Sequence, residues 1–229
     1  MRAPRFTPKA LSFLRQLKHH NNREWFQAHR NDYEQYVRLP MVDLVERLAV
    51  DLRIFAPDLV AAPKTSIYRI YRDTRFSVDK VPYKTHVAAI FPHRDLPKHE
   101  GAGLYVHVAP DHVLIGGGLY RPTSRQLYRL REHIATNARR LRTIVESPRF
   151  RRSFGELSGG RLQRVPRGFD STHPAVEYLR LKQFLAGTER PANFATGPRF
   201  YTSVLKLFRQ LAPFIHYVNE PLVGNEFRI

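Results

Sequence analysis

The stretch Leu104-Tyr105-Val106-His107-Val108-Ala109-Pro110-Asp111-His112-Val113-Leu114-Ile115-Gly116-Gly117-Gly118 decides the fold. Two runs, Leu104 to Ala109 and Val113 to Gly118, flank Pro110-Asp111 and alternate as the strands of an antiparallel hairpin do. With Pro110-Asp111 as the turn, Leu104, Val106, Val108, Val113 and Ile115 share a core face. Tyr105, His107 and Leu114 then share the other face, and Gly116 lies opposite Tyr105. A slip of one residue would exchange the faces, and proline is not a residue the primed hairpin turns favour.

Moving outward, Val87 to Phe91 reads as a short strand, Pro92 to Gly101 as an exposed loop, and Ile67 to Arg72 as an alternating strand. The two ends of the chain carry helical stripes. Phe6-Thr7-Pro8 opens a helix that buries Leu11, Leu14 and Leu17, and Asn21 followed by Glu24 reads as the cap of a second helix carrying Trp25, His29, Tyr33 and Val37. Pro40 should break or kink that helix, before a third stripe of Met41, Leu44, Leu48, Leu52 and Phe55. Thr123 or Ser124 can cap a long helix to about Glu146. Its buried side would hold Leu127, Leu130, Ile134, Leu141 and Val145, and its outer face Arg125, Arg129, His133, Thr136 and Arg140. A helix from Ala175 to about Phe184 follows, and a last long one begins near Pro198, with Pro213 kinking it. Central strands between terminal helices specify α+β: a mainly antiparallel central sheet flanked by helices from both termini. With no linker, repeat or low-complexity tract, the chain reads as a single globular domain over 1–229, its extreme C-terminus a tail.

At 229 residues the chain can bury a sizeable core, and 42% hydrophobic content excludes a disordered chain. Nothing in it approaches the roughly 18 apolar residues a membrane span needs, and the first residues lack a signal-peptide core, so no membrane is expected as a partner and the expected location is cytoplasmic. Zero cysteines exclude disulfides, thiolate metal sites and thiol nucleophiles. The net charge of +18 comes from 30 Arg and 8 Lys against 20 acids. From Arg121 to Arg167 there are thirteen Arg, no Lys and only Glu132, Glu146 and Glu156.

The richest chemistry lies in Arg69-Ile-Tyr-Arg-Asp-Thr-Arg-Phe-Ser-Val-Asp-Lys-Val-Pro-Tyr-Lys-Thr85. Arg69, Arg72, Arg75, Lys80 and Lys84 set five cations against Asp73 and Asp79, leaving an excess that suits a bound oxyanion. The leading expectation is a pocket for an anionic, phosphorylated small molecule or nucleotide. Arg69, Arg72, Arg75, Lys80 and Lys84 would hold the oxyanion, with Tyr71, Tyr83 and Tyr105 donating hydrogen bonds or stacking. Asp73 and Asp79 either orient the arginines or supply a general base or a divalent-cation ligand, and His107 is the histidine placed to be catalytic, a ligand or a hydrogen-bonded structural group. Opposed to this stands a loop whose ion pairs merely shape it. A nucleic-acid module using Arg125, Arg129, Arg140, Arg149, Arg151 and Arg152 is the alternative, against a solvated face of an Arg-rich protein; a non-enzymatic scaffold is another.

The Gly116-Gly117-Gly118 and Gly159-Gly160-Arg161 runs lack the Gly-Lys-Ser/Thr of a P-loop, and neither a His-Glu-x-x-His pair nor a Gly-x-Ser-x-Gly elbow occurs. His19-His20, His93, His99 and His112 lack ligand spacing and read as surface histidines, so no metal site and no cofactor are expected beyond the divalent cation left open at the acids. Phe6-Thr7-Pro8, Asn21-Asn22-Arg23-Glu24-Trp25-Phe26, the Arg69 to Thr85 stretch, Gly118-Leu119-Tyr120-Arg121-Pro122 and Pro166-Arg167-Gly168-Phe169-Asp170 with His173-Pro174 together resemble the domain-of-unknown-function family numbered 2461, over about residues 6–217. That resemblance implies one bacterial α+β domain with the Arg69 to Thr85 motif as its hallmark. It transfers no catalytic residue.

Overall fold

The structure is a computed structural model in which residues 3–75 and 77–223 are described. The C-terminal segment read as a tail lies largely outside them. Thr7 takes the extended backbone of a cap without a side-chain cap bond and starts α1 (Pro8–His19), which buries Leu11, Leu14 and Leu17 together with Ala10 and Phe13. The second helix, α2 (Arg23–Ala28), is capped by Asn22, whose side chain accepts from the Trp25 N–H at 2.9 Å. Asn21, the residue expected there, is engaged elsewhere. After α3 (Arg30–Asp32) comes a π-helical turn, Tyr33–Arg38, running directly into α4 (Leu39–Phe55). The break expected at Pro40 is therefore a widened turn just before it, which accommodates a ring that would otherwise meet the preceding carbonyls. Met41, Leu44, Leu48 and Leu52 are buried as the spacing requires, and the short α5 (Pro63–Ser66) follows.

Strands β1 (Val87–Phe91), β2 (Gly103–Val108) and β3 (His112–Leu119) pair antiparallel. Val108 pairs with Val113 and Tyr105 with Gly116, the register read from the hairpin. The Ala109 N–H closes the turn on the His112 carbonyl at 2.8 Å. The expected strand at Ile67 to Arg72 is instead an irregular extended limb, held by single bridges from Ile67 to Ala89 and from Tyr71 to Tyr83.

The long helix expected to reach Glu146 is two helices, α6 (Ser124–Thr136) and α7 (Ala138–Val145). Thr123 and Gln126 form a reciprocal capping box at its start. At the break, the Asn137 side-chain amide donates to the His133 carbonyl at 3.1 Å, a local bond that competes with the helix ladder. His133, expected on the outer face, packs instead against Tyr217 with ring centroids 4.6 Å apart. Then come α8 (Pro148–Phe154) and a single turn, α9 (Val176–Leu179). The helix expected to continue toward Phe184 gives way to β4 (Phe184–Pro191), which pairs with β3 and completes the order β1-β2-β3-β4. The glycine run of β3 makes this possible. Gly118 has φ +132°, and a Cβ there would lie 1.9 Å from the Phe184 carbonyl oxygen.

A 3-10 turn, Ala192–Thr196, leads toward α10 (Phe200–Asn219), which crosses β2 and β3 and carries Pro213 inside it. Leu104, Val106, Val108, Val113 and Ile115 are fully buried, as are Phe208, Leu211 and Ile215 of α10. The Asn219 amide clasps Ala102, accepting from its N–H at 2.7 Å and donating to its carbonyl at 2.9 Å. The opposite face of the sheet, bearing Tyr105, His107, His112 and Leu114, is only half-buried. No helix among the described residues is long and apolar enough to cross a membrane.

Candidate functional site

The Arg69 to Thr85 motif folds back on itself. Arg72 N–H donates to the Pro82 carbonyl at 2.9 Å and Lys84 N–H to the Ile70 carbonyl at 2.8 Å. Asn21 anchors it, its side chain donating to the Tyr83 carbonyl at 2.9 Å and accepting from the Tyr83 N–H at 3.0 Å. Tyr83 is itself buried and stacks on Phe26 at 4.2 Å, so its ring belongs to the core and cannot stack on a ligand. Tyr71 stays 45% exposed beside it.

Much of the motif's charge is used internally. Arg72 donates to Asp79 at 2.7 Å, Arg75 donates to both Asp73 oxygens at 3.0 and 2.8 Å, and Lys80 donates to the Thr74 carbonyl at 2.9 Å. The hydrogen bond from Arg75 holds the Asp73 carboxyl down at about 2, and that from Arg72 lowers Asp79. Carboxylates so stabilised in their charged form make poor bases at neutral pH. Orienting the arginines is the role this geometry favours.

Lys84 is arranged differently. Its ammonium donates to the Arg69 carbonyl at 2.8 Å and lies 5.4 Å from the centre of the Tyr68 ring. Lys98, from the loop after β1, lies 4.8 Å from the same ring and donates to the Thr65 carbonyl. Neither ammonium has a carboxylate partner among the described residues, and both are only part-exposed. Burial lowers both pKa values, and the fields of Arg69 and Lys98 depress Lys84 further. His99 stacks on Tyr68 at 5.6 Å and meets its hydroxyl at 3.3 Å. With φ 80°, His99 is the one non-glycine among the described residues in the left-handed region, the kind of strain that collects at functional positions. His86 is held low by burial and then by Lys84.

Tyr68 adjoins Tyr105 on the half-buried sheet face, with ring centroids 6.4 Å apart. From Tyr105 a chain of hydrogen bonds runs across that face. Tyr105 Oη is 3.0 Å from His107 Nδ1, His107 Nε2 is 2.9 Å from His112 Nε2, and His112 Nδ1 is 2.8 Å from Asp111 Oδ1. The His86 ring flanks His107 at 5.0 Å. Burial, followed by the fields of His86 and His112, brings His107 down to about 4, and burial raises the Tyr105 phenol.

The structure thus joins Arg69, Lys84, Tyr105 and His107 in one region and gives Arg72, Arg75 and Lys80 internal partners. Tyr68, His86, Lys98, His99, Asp111 and His112 were not among the sequence candidates. His112, read as a surface histidine, opens β3 on the half-buried face, while His99 is exposed as read and stacks on Tyr68. His93 is also not a surface residue: it is 7% exposed and its Nε2 lies 3.3 Å from Asp58. The hairpin register was signal enough for His112, because pairing Val108 with Val113 puts residues 107 and 112 on one face. Nothing local announced Lys98 and His99.

The arginine-rich region divides in two. Arg140 donates to Glu220 at 2.7 Å and Arg151 pairs with Glu156 at 3.0 Å. Arg125, Arg129, Arg149 and Arg152 have no carboxylate partner among the described residues. Between α7 and α10 lies an open cleft of about 890 Å³ lined by Arg139, Arg140, Pro213 and His216, with no residue of the motif. Among the described residues no three or more His, Asp or Glu side chains converge as metal ligands. Residues 9–217 match the family described as "Conserved hypothetical protein (DUF2461)", and the chain belongs to that family. No curated protein matches it.

Proposed function

We propose that this DUF2461 chain binds a small phosphate-type oxyanion over Tyr68, between the ammonium groups of Lys84 and Lys98 and beside Arg69 and Tyr105. One observation carries the reading: two part-buried lysines approach a single ring with no carboxylate partner among the described residues. Partial desolvation strengthens the attraction between these ammonium groups and whatever anion they meet. Arg72, Arg75 and Lys80 serve this site indirectly, as ties that shape the motif. Thermal denaturation in phosphate, sulfate, nucleotides and sugar phosphates tests the reading. A ligand at about 100 times its dissociation constant stabilises by roughly 2.7 kcal/mol. The expected result is stabilisation that Lys84→Met and Lys98→Met each abolish and that Arg75→Ala leaves in place. Absence of stabilisation by every anion, or stabilisation indifferent to both lysine substitutions, would overturn it.

A second reading is a nucleic-acid surface. It is supported by Arg125, Arg129, Arg149 and Arg152, four arginines of that region that have no carboxylate partner among the described residues. Fluorescence anisotropy with duplex DNA and single-stranded RNA would show affinity falling steeply with salt and weakened in Arg125→Glu and Arg129→Glu. Unchanged affinity in those variants removes it.

A further inference from the structure

We propose that Tyr105, His107, His112 and Asp111 form a proton-loading arm of the anion site, so that each oxyanion held by Tyr105 brings one proton into the protein. The inference rests on the anion-binding reading above and adds to it a proton and two residues, His112 and Asp111.

An ionised carboxylate only accepts, so His112 Nδ1 donates to Asp111 at 2.8 Å. The other nitrogen of a neutral His112 is then an acceptor, and His107 Nε2 donates to it at 2.9 Å. His107 Nδ1 in turn accepts, and the Tyr105 hydroxyl donates to it at 3.0 Å. Three hydrogens fill three bonds, all polarised toward Asp111.

An oxyanion has no hydrogen to give and engages Tyr105 only by taking the phenolic one. Tyr105 Oη and His107 Nδ1 would then face each other lone pair to lone pair. One proton from solvent, added at His107 Nδ1, repairs the gap. The imidazolium donates to Tyr105 Oη and to His112 Nε2, while His112 still donates to an ionised Asp111. The loaded proton lies one hydrogen bond behind the ligand. As Tyr105 passes its hydrogen to a ligand oxygen, His107 refills Tyr105 and returns to neutrality, with no other bond made or broken. The arm therefore suits an oxyanion whose oxygen must be protonated, such as the departing oxygen of a phosphate ester.

Other charges bear on the arm from every side. Lys84 acts on His86 and Lys18 of α1 acts on Asp111. His86 flanks His107, Tyr68 and Tyr120 act on Tyr105, and Glu189 of β4 shares the face through its pairing with Leu114. Burial, then the fields of His86 and His112, disfavours a proton on His107 in the free protein, Asp111 opposes them, and a bound anion adds to the side of Asp111.

Sulfate is the probe, because it remains a dianion from about pH 5 to about pH 8. Calorimetric titration in two buffers of different ionisation enthalpy reads proton uptake directly. The expected result is uptake approaching one proton per sulfate, with affinity rising up to about tenfold for each pH unit of acidification. In His112→Gln and Asp111→Asn, sulfate should still bind, with uptake and slope at least halved; Asp111 is exposed at a turn, so that variant spares the core. Binding without uptake in the wild type keeps the anion site and overturns the arm. Uptake unchanged in both variants also overturns it. Absence of sulfate binding over the whole pH range overturns the arm and the anion site together.

Discussion

Asn21 shows how one side chain can position a site it does not join. Its amide completes two hydrogen bonds to the Tyr83 backbone, and Tyr83 anchors the returning limb of the motif against Phe26. In Asn21→Ala both bonds go and the limb carrying Lys84 loosens. The expected outcome is a loss of about 1–3 kcal/mol in urea unfolding, with anion-induced stabilisation weakened although no ligand contact was removed. A variant of wild-type stability would show that the clasp is incidental. Near the C-terminal end of the chain, Asn219→Leu strands the N–H and carbonyl of Ala102 in a buried position. A loss of about 2–4 kcal/mol is expected, with anion binding intact. The motif's cations were visible in the sequence as residues. Which of them were committed was not, because Asp73 can pair with Arg69, Arg72 or Arg75 and only the folded loop chooses.

At the scale of elements, the hairpin was legible because alternation fixes both its strands and its register, and burial of one face penalises every slipped alternative. Strand β4 was not legible. Gly187, Thr188, Glu189, Arg190 and Pro191 have the composition of a turn, and an edge strand with one open face needs little apolar patterning. Its partner gave a clue in Gly116-Gly117-Gly118, where the missing side chains of Gly116 and Gly118 let β4 approach. Gly118→Ala would place a Cβ against the Phe184 carbonyl at a positive φ. It should destabilise by about 2–4 kcal/mol in urea unfolding, whereas Gly160→Ala, where the added carbon meets only the flexible Lys182 at 3.5 Å, should stay within about 0.5 kcal/mol. Equal effects of the two substitutions would contradict the close-approach account. Helix breaks were similarly hidden: the π-helical turn before Pro40 makes room for its ring, and the break at Asn137 comes with a local side-chain hydrogen bond, neither of which apolar spacing registers.

The whole molecule carries +18 of net charge, yet on one face of its sheet histidines are held toward their neutral forms. The folded pKa of His107 lies at about 4, below its ordinary 6.5, so the group is neutral in both states above pH 6.5. Between about 6.5 and about 4 the unfolded chain binds a proton that the folded chain refuses, and stability falls with pH. Allowing for the partial exposure of His107, that loss is on the order of 2 kcal/mol. Urea unfolding without sulfate or phosphate should show it between pH 7 and pH 4.5, reduced in His107→Gln; an identical pH profile in that variant would contradict it.

The central claim is that an anion sits over Tyr68. Crystals soaked in selenate, whose selenium scatters anomalously, locate such an ion without any assumption about substrate or chemistry. The account predicts an anomalous peak within hydrogen-bonding reach of Lys84 and Lys98 and beside Tyr105, absent in crystals of Lys84→Met. Peaks confined to Arg125, Arg149 and Arg152, or a peak over Tyr68 that survives the lysine substitution, would contradict it.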